Sequence, residues 1–561
     1  DEALADTIRF GQPFTPNEVQ ARLYSWKRMY YWGPHDVLPL GGVGAKALLF
    51  RIEEAVFPEQ YVSEVYGDKV TSAMLSGEGG YVDLDGYWWN QAGAQWYYDT
   101  PGSFSRPWYI KDPFGGRVTM GYDACWLFLT RVEQLVENTP GEPIINTVTA
   151  VYDYQTVKPQ SVTNINGTEM QALFDPLGFV IVTSLHGVQD GQPSGDDNLD
   201  DYIRREDATF DDVLVQPHYY LEGATTFFYY DFLAWLERGE PTNSIELLRE
   251  THVSNLAPGQ ETAIQTQISY SDGFGRTIET KLKADPCTAV LRTPEGKALY
   301  IGDTLAVGAS DECWIVSGRT VFNNKSLPVE QYLPYFSSVP SYEEYQDVYR
   351  AGIIPSPTVT RYDPLGRVVR VDTPKGFFSK IEYTPWVQRH YDEDDTVKES
   401  PYYKEHFQNA DPDEKDALEK ASVFENTPNE DVLDNMGRRF LAVQINVWEE
   451  DDGTGTAVVK QGPVYLTTFY TLDIQGNVLS ATDPRLCQLS PPVANIVSIY
   501  DMSGHLLKSI SVDAGERLTL LNMFGNAVGT WDSRGFCIAT TYDLLQRPVT
   551  IYVKGHDPDS D

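Results

Sequence analysis

Apolar and polar residues alternate with a period of two through much of the chain. In Thr277–Lys283, Ile278, Thr280 and Leu282 share one face, while Glu279, Lys281 and Lys283 share the other. In Ser379–Tyr383, Ile381 and Tyr383 oppose Lys380 and Glu382. Phe536, Ile538, Thr540 and Tyr542 alternate with smaller residues. Period two is the pattern of a half-buried antiparallel sheet. Helical periodicity is rare. Asp411–Phe424 is the clearest case: Asp411 and Asp413 are placed to cap it, Pro412 suits its first turn, and Ala417, Leu418 and Ala421 form an apolar stripe. Thr226–Arg238 reads as a short helix or as a strand running into one.

The strands are separated by a recurring Asp-x-x-Gly. The clearest copies are Asp112–Gly115, Asp175–Gly178, Asp272–Gly275, Asp363–Gly366, Asp434–Gly437, Asp473–Gly476, Asp501–Gly504 and Asp532–Gly535. Asp83–Gly86, Asp99–Gly102 and Asp452–Gly455 share the spacing. Each reads as a tight turn. The Asp carboxylate accepts a backbone N–H at the first position, Pro presets φ at the second in Asp112-Pro113 and Asp363-Pro364, and Gly takes a positive φ at the fourth. A type I turn followed by such a Gly is a common hairpin connection. Near the C-terminus the first turn position is filled by Asp501, Asn522, Asp532 and Asp543, with Asn replacing Asp once. Gln546 stands where the last copy needs Gly, which predicts a different turn there. A turn-and-strand unit repeated in step decides the fold ahead of any other signal.

The motif Tyr362–Arg367 (YDPLGR) resembles the signature of RHS, or YD, repeats. Phe378–Val397, Tyr270–Arg276, Val321–Lys325, Ala514–Leu518 and Thr530–Gly535 resemble stretches of the B component of bacterial Tc toxin complexes. Gly79–Trp89 and Asp112–Asp123 are similar in kind to that family's region ahead of its densest repeats. The resemblance implies an all-β array of antiparallel hairpins winding into a hollow shell around a toxic C-terminal cargo. It implies as partners the rest of the shell, with a C-type component and its cargo, and a pore-forming A-type translocation component engaged through regions outside this chain. It also implies secretion as an extracellular toxin complex after synthesis in the cytoplasm. Two family features find no counterpart here: the upstream β-propeller and the aspartyl self-cleavage motif of the C partner. Asp1 is not Met and Asp561 falls within the repeat pattern, so the expectation is a processed or trimmed piece.

Composition narrows the alternatives. The 561 residues carry 43 Lys and Arg against 81 Asp and Glu, a net charge of −38. That argues against nucleic-acid binding, which leaves a basic footprint. It suits a large soluble sheet surface whose acidic edges resist pairing between molecules. No apolar run approaches the ~20 residues a membrane-spanning helix needs. Five scattered cysteines (Cys125, Cys287, Cys313, Cys487 and Cys537) make no Cys-x-x-Cys and argue against a disulfide scaffold.

Residues 1–110 form an aromatic-rich N-terminal part, and the repeat region is expected over 111–561, with an acidic loop or mobile insertion at 187–213. No catalytic residues, cofactor or metal site emerges. Turn aspartates lie along a line, whereas acid–base chemistry needs carboxyls converging on one substrate. The eight histidines include no i, i+4 pair. Asp83-Leu-Asp-Gly86 and Glu393-Asp-Asp395 lack the distal Glu of a calcium loop. The alternative is a carbohydrate- or cell-surface-binding β-repeat protein, in which Trp88, Trp89 and Trp96 would stack on sugars and Asp83 and Asp85 would bond them. The plainer reading of the same tryptophans is sheet packing.

Overall fold

Asp-led corners joined by short alternating strands dictate antiparallel hairpins, and hairpins dominate the computed structural model. It describes residues 7–8, 10, 15, 20–137, 143–205, 207–343, 346–451 and 458–555. The chain divides into two compact units: Asp1–Ala150 with Leu433–Ala442 and Leu466–Asp561, and Val151–Val432 with Val443–Tyr465. Among the described residues no helix is long and apolar enough to cross a membrane. Asp452–Gly455 lies outside them.

In the first unit, Lys27–Tyr31, Leu49–Pro58, Tyr87–Gln91 and Val82–Leu84 pair in that order as a four-stranded sheet. Helices Glu59–Tyr66 and Ser72–Ser76 follow its longest strand. A hairpin series runs from Val478–Thr482 through Ile496–Tyr500, Leu506–Ser511, Gly515–Leu521, Ala527–Asp532 and Cys537–Tyr542 to Pro548–Lys554, each strand antiparallel to the next. One core joins the two parts: Phe57, Tyr66, Leu75, Trp88 and Trp89 pack with Met502, Leu507, Leu518 and Leu520. Tyrosines lock the join. Tyr61 Oη donates to the Tyr500 carbonyl at 3.0 Å, Tyr66 Oη to Thr519 at 2.8 Å, and Tyr81 Oη to Leu521 at 3.1 Å. Burial pushes all three phenols well above their usual pKa, so they remain donors.

In the second unit, Thr226–Asp231, Thr242–Arg249, Ile264–Ser271, Thr277–Ala284 and Cys313–Ser317 form a continuous antiparallel run over a core of Ile245, Leu247, Ile268, Tyr270 and Trp314. Thr358–Tyr362, Val368–Asp372, Phe378–Tyr383 and Val387–Tyr391 form a second run. Thr226–Arg238 is a strand, Thr226–Asp231, running into a helix, Ala234–Arg238. The helical excursion is Pro412–Ala421 continued by a 3-10 turn, Ser422–Phe424. Asp411 caps it by accepting from the Asp413 and Glu414 N–H groups.

Three local expectations differ from what the structure holds. The acidic stretch 187–213, read as loop, contains the hairpin strand Gln192–Gly195 and the start of helix Phe210–Val215. Asp196 there is buried, where its carboxylate accepts from the Val253 N–H and meets His252 Nδ1 at 2.9 Å. Cys287 and Cys313 form a disulfide, Cα atoms 5.9 Å apart: Cys313 pairs with Ala284, just ahead of Cys287, and a sequence separation of 26 hid the link. The strand Thr277–Ala284 keeps period two but inverts the usual burial. Glu279 and Lys281 are fully buried, while Leu282 is exposed. An antiparallel strand ordinarily turns its apolar side to the core, so the buried charges here need partners.

Candidate functional site

Eight corners predicted from Asp and Gly are built alike. The Gly N–H of Gly115, Gly178, Gly275, Gly366, Gly437, Gly476, Gly504 and Gly535 donates to the carbonyl of Asp112, Asp175, Asp272, Asp363, Asp434, Asp473, Asp501 and Asp532 respectively, at 2.9–3.2 Å. Each Asp carboxylate accepts the backbone N–H four residues on, at 2.7–3.0 Å. The eight glycines have φ between 76° and 97°. A register shift accompanies the corner, as between Arg361 and Tyr362 and between Ile499 and Tyr500. This is a type I turn closed by a left-handed residue in a bulge.

The sequence pattern missed a clamp on these corners. Arg276, Arg367, Arg438 and Arg547 stand four residues after their aspartates and return Nε to the second carboxylate oxygen at 2.7–2.8 Å. Asn477 and His505 fill the same place at 2.8 and 3.0 Å, and Arg534 reaches Asp532 from two residues on. One carboxylate thus ties backbone and side chain in a charge-assisted fork. The Arg438 guanidinium lowers the Asp434 pKa, Arg534 does the same to Asp532, and the Arg367 N–H leads the lowering at Asp363. Such lowered carboxylates stabilise the fold above their unfolded value, and that contribution is lost as pH falls through the folded value. His505 has the opposite sign. Its hydrogen bond to Asp501 raises its pKa above 6.5, so its contribution is full below the unfolded value and is lost as pH rises through the raised one. We expect an NMR titration midpoint for His505 above 6.5; a midpoint at or below that value removes this ion pair.

Several corners follow the geometry without the motif. Asn164, Asn323 and Asn522 accept the same pair of N–H groups. Gln546, expected to force a different turn, adopts φ 61° and donates its N–H to the Asp543 carbonyl at 2.9 Å. Its side-chain oxygen accepts from Asn522 and Asn526 Nδ2, which holds the residue there. Two matches to the spacing are different turns. At Asp83–Gly86 the strands meet through the two-residue turn Asp85-Gly86, both at positive φ. At Asp99–Gly102 the closing bond runs from the Ser103 N–H to Thr100 instead. Gly366 offers a clean test. A Cβ there would meet Leu327 at an ordinary 3.6 Å, so the cost of Gly366→Val is conformational. We expect about 1–3 kcal/mol of destabilisation in urea unfolding; an unchanged midpoint contradicts the left-handed corner.

The second unit gathers five of its charged side chains in one enclosed cluster. Lys281 Nζ reaches Glu343 at 2.6 Å, the Ser341 carbonyl at 2.6 Å and the Val339 carbonyl at 3.0 Å. Arg292 pairs with the other oxygen of Glu343, and Arg319 lies 3.4 Å from Glu279. All five side chains are at most 12% exposed. Burial pulls the Lys281 pKa down to about 7, opposed by Glu279, and burial raises Glu279. The group is enclosed, and its bonds pin Thr277–Ala284 to the segment around 339–343.

The residues considered for ligand chemistry are placed as follows. Trp88 and Trp89 are 4% and 0% exposed, inside the first core. Asp85 pairs with Arg28 at 2.6 Å, and the Arg28 guanidinium lies over Trp26 and Trp89. Asp83 sits within a strand pairing with Trp88. Asp395 accepts from the Thr427 N–H and hydroxyl, which ties two loops together. Among the described residues no three or more His, Cys, Asp or Glu gather as a metal site.

No family model and no curated protein matches the chain. Solved structures do. A crystal structure of TcdB2-TccC3 aligns with a TM-score of 0.77 at 22% identity, over 95% of this chain and 24% of that one. A mutated Tc holotoxin pore of Photorhabdus luminescens aligns with a TM-score of 0.77 at 21% identity, over 96% of this chain and 26% of that one. TcdB2-TccC3-Cdc42 gives 0.76 at 20% identity, over 95% and 26%. The chain therefore has the fold of a part of these toxin-complex structures and spans about a quarter of the length of the chains it matches.

Proposed function

We propose that this chain is a non-catalytic wall segment of a toxin-encapsulating shell, in the manner of a Tc-toxin B component. The likeness to TcdB2-TccC3 over nearly the whole chain carries this reading. The corners support it. A sheet built of self-closing hairpins satisfies its backbone locally and extends without a catalytic centre, and each of the eight aspartates of these corners is engaged in holding its own corner. In this reading the partners are the rest of the shell, a C-type component with its toxic cargo, and an A-type translocation component bound through other regions. The complex is made in the cytoplasm and acts outside the cell. The competing carbohydrate-platform reading loses two of its three tryptophans, because Trp88 and Trp89 are enclosed, while Trp96 is partly exposed.

The test is protease protection. The full B-type protein containing this segment, co-produced with its C-type partner, is expected to leave the cargo undigested under conditions that degrade free cargo. Electron microscopy of the same particle is expected to show an internal cavity. Equal digestion of cargo in and out of the complex, or a solid particle, overturns the proposal.

A further inference from the structure

Trp32, Trp96, Tyr97 and Tyr98 line a cleft of about 400 Å³ in the first unit, with His35, Lys46, Asp99 and Ser105 also on its walls. This volume is in the range of small-molecule sites, which pair apolar walls with a few placed polar groups. The walls are fixed. Trp96 stacks on Tyr109 with centroids 4.5 Å apart, Trp32 packs edge-on against Phe50 at 5.0 Å, and Trp32 Nε1 donates to the Gln95 carbonyl at 2.8 Å. Tyr98 Oη donates to the Met120 carbonyl at 2.8 Å. The rim is fixed too. Ser103 is buried and donates Oγ to the Tyr98 carbonyl, and Lys46 Nζ reaches Ser105 Oγ at 3.0 Å.

Two observations single this cleft out. The side chains of Asp99 and His35 make no hydrogen bond or ion pair among the described residues, so an acceptor and an imidazole stand free at the mouth. Ala47, Phe104 and Ser105, all on or beside the rim, are held at φ 49–52°. Non-glycine residues at positive φ store strain and cluster at ligand clamps. The rim charges, one ammonium and one carboxylate, cancel. A neutral ring carrying hydroxyls on its edge and C–H groups on its face satisfies both parts: the aromatic walls take the face, and carboxylate, ammonium, imidazole and hydroxyl serve the edge as mixed acceptors and donors.

We propose that this cleft binds a pyranose ring, as a free saccharide or as the end of a glycan. The site is separate from the shell role and from the enclosed Trp88 and Trp89. The intact protein is titrated with methyl glucoside, galactoside, mannoside and N-acetylglucosaminide, followed by saturation-transfer NMR and calorimetry. At least one is expected to bind saturably. Asp99→Ala and Lys46→Ala, both at exposed positions, are each expected to weaken that binding about tenfold or more, through loss of a charged hydrogen bond. Asp190→Ala, an exposed residue in the other unit, is expected to leave it unchanged, and melting curves confirm that each variant is folded. Binding of none of the four sugars up to about 10 mM, or binding that survives both rim substitutions, overturns the proposal.

Discussion

Glu343→Ala is expected to cost about 3–5 kcal/mol, the range for removing one partner from a buried ion pair. Glu343 serves two cations, Lys281 at 2.6 Å and Arg292, and its side chain is fully enclosed. Without it, Glu279 alone faces Lys281, Arg292 and Arg319, at 3.9 Å from the first and 3.4 Å from the last. Removing the other side is a milder change. Lys281→Met leaves Glu343 with Arg292 and replaces an ammonium by a thioether of similar length, so its cost is expected to fall below that of Glu343→Ala. Urea unfolding of the two variants against the parent reads both effects. A loss under about 1 kcal/mol for Glu343→Ala would mean that water reaches the cluster.

Trp89→Ala carries the second large effect, again about 3–5 kcal/mol. The indole is fully buried, meets Trp26 at 5.0 Å, lies under the Arg28 guanidinium at 4.1 Å, and donates Nε1 to the Leu84 carbonyl at 2.8 Å. Truncation opens a cavity and takes from a buried cation one of its two aromatic partners. Trp89→Phe refills much of the volume and is expected to recover part of the loss. A tryptophan serving as a surface platform would give the reverse pattern, with stability unchanged on truncation. The denaturation midpoint therefore separates the core role from the platform role.

What the sequence shows clearly is what five consecutive residues decide. Asp363 and Gly366 announce their corner because a side-chain acceptor and a left-handed residue suffice to close it. The same logic explains the corners that the motif skips: Asn323 supplies the acceptor and Ser326, at φ 63°, the left-handed position. The Arg clamp was visible in principle, since Arg276, Arg367, Arg438 and Arg547 all follow at one fixed offset. Long-range facts were not legible. Nothing near Thr277–Ala284 signals that Lys281 finds Glu343 some sixty residues on, and period two alone does not say which side of the strand is buried. The pairing of Cys287 with Cys313 depends on strand neighbours in the same way. The aromatic cleft is not legible either: Trp96, Tyr97 and Tyr98 adjoin in the sequence, but His35 and Lys46 arrive from about fifty to sixty residues earlier.

The corners of the C-terminal hairpin series also bear on how such a protein changes over generations. Each is closed by its own few residues, while Asn522, Asn526 and Gln546 also bond across two corners and Tyr61, Tyr66 and Tyr81 fasten the series to the first core. A duplicated hairpin would bring its own corner with it, but a step inserted within the series would have to leave those three tyrosine contacts in place.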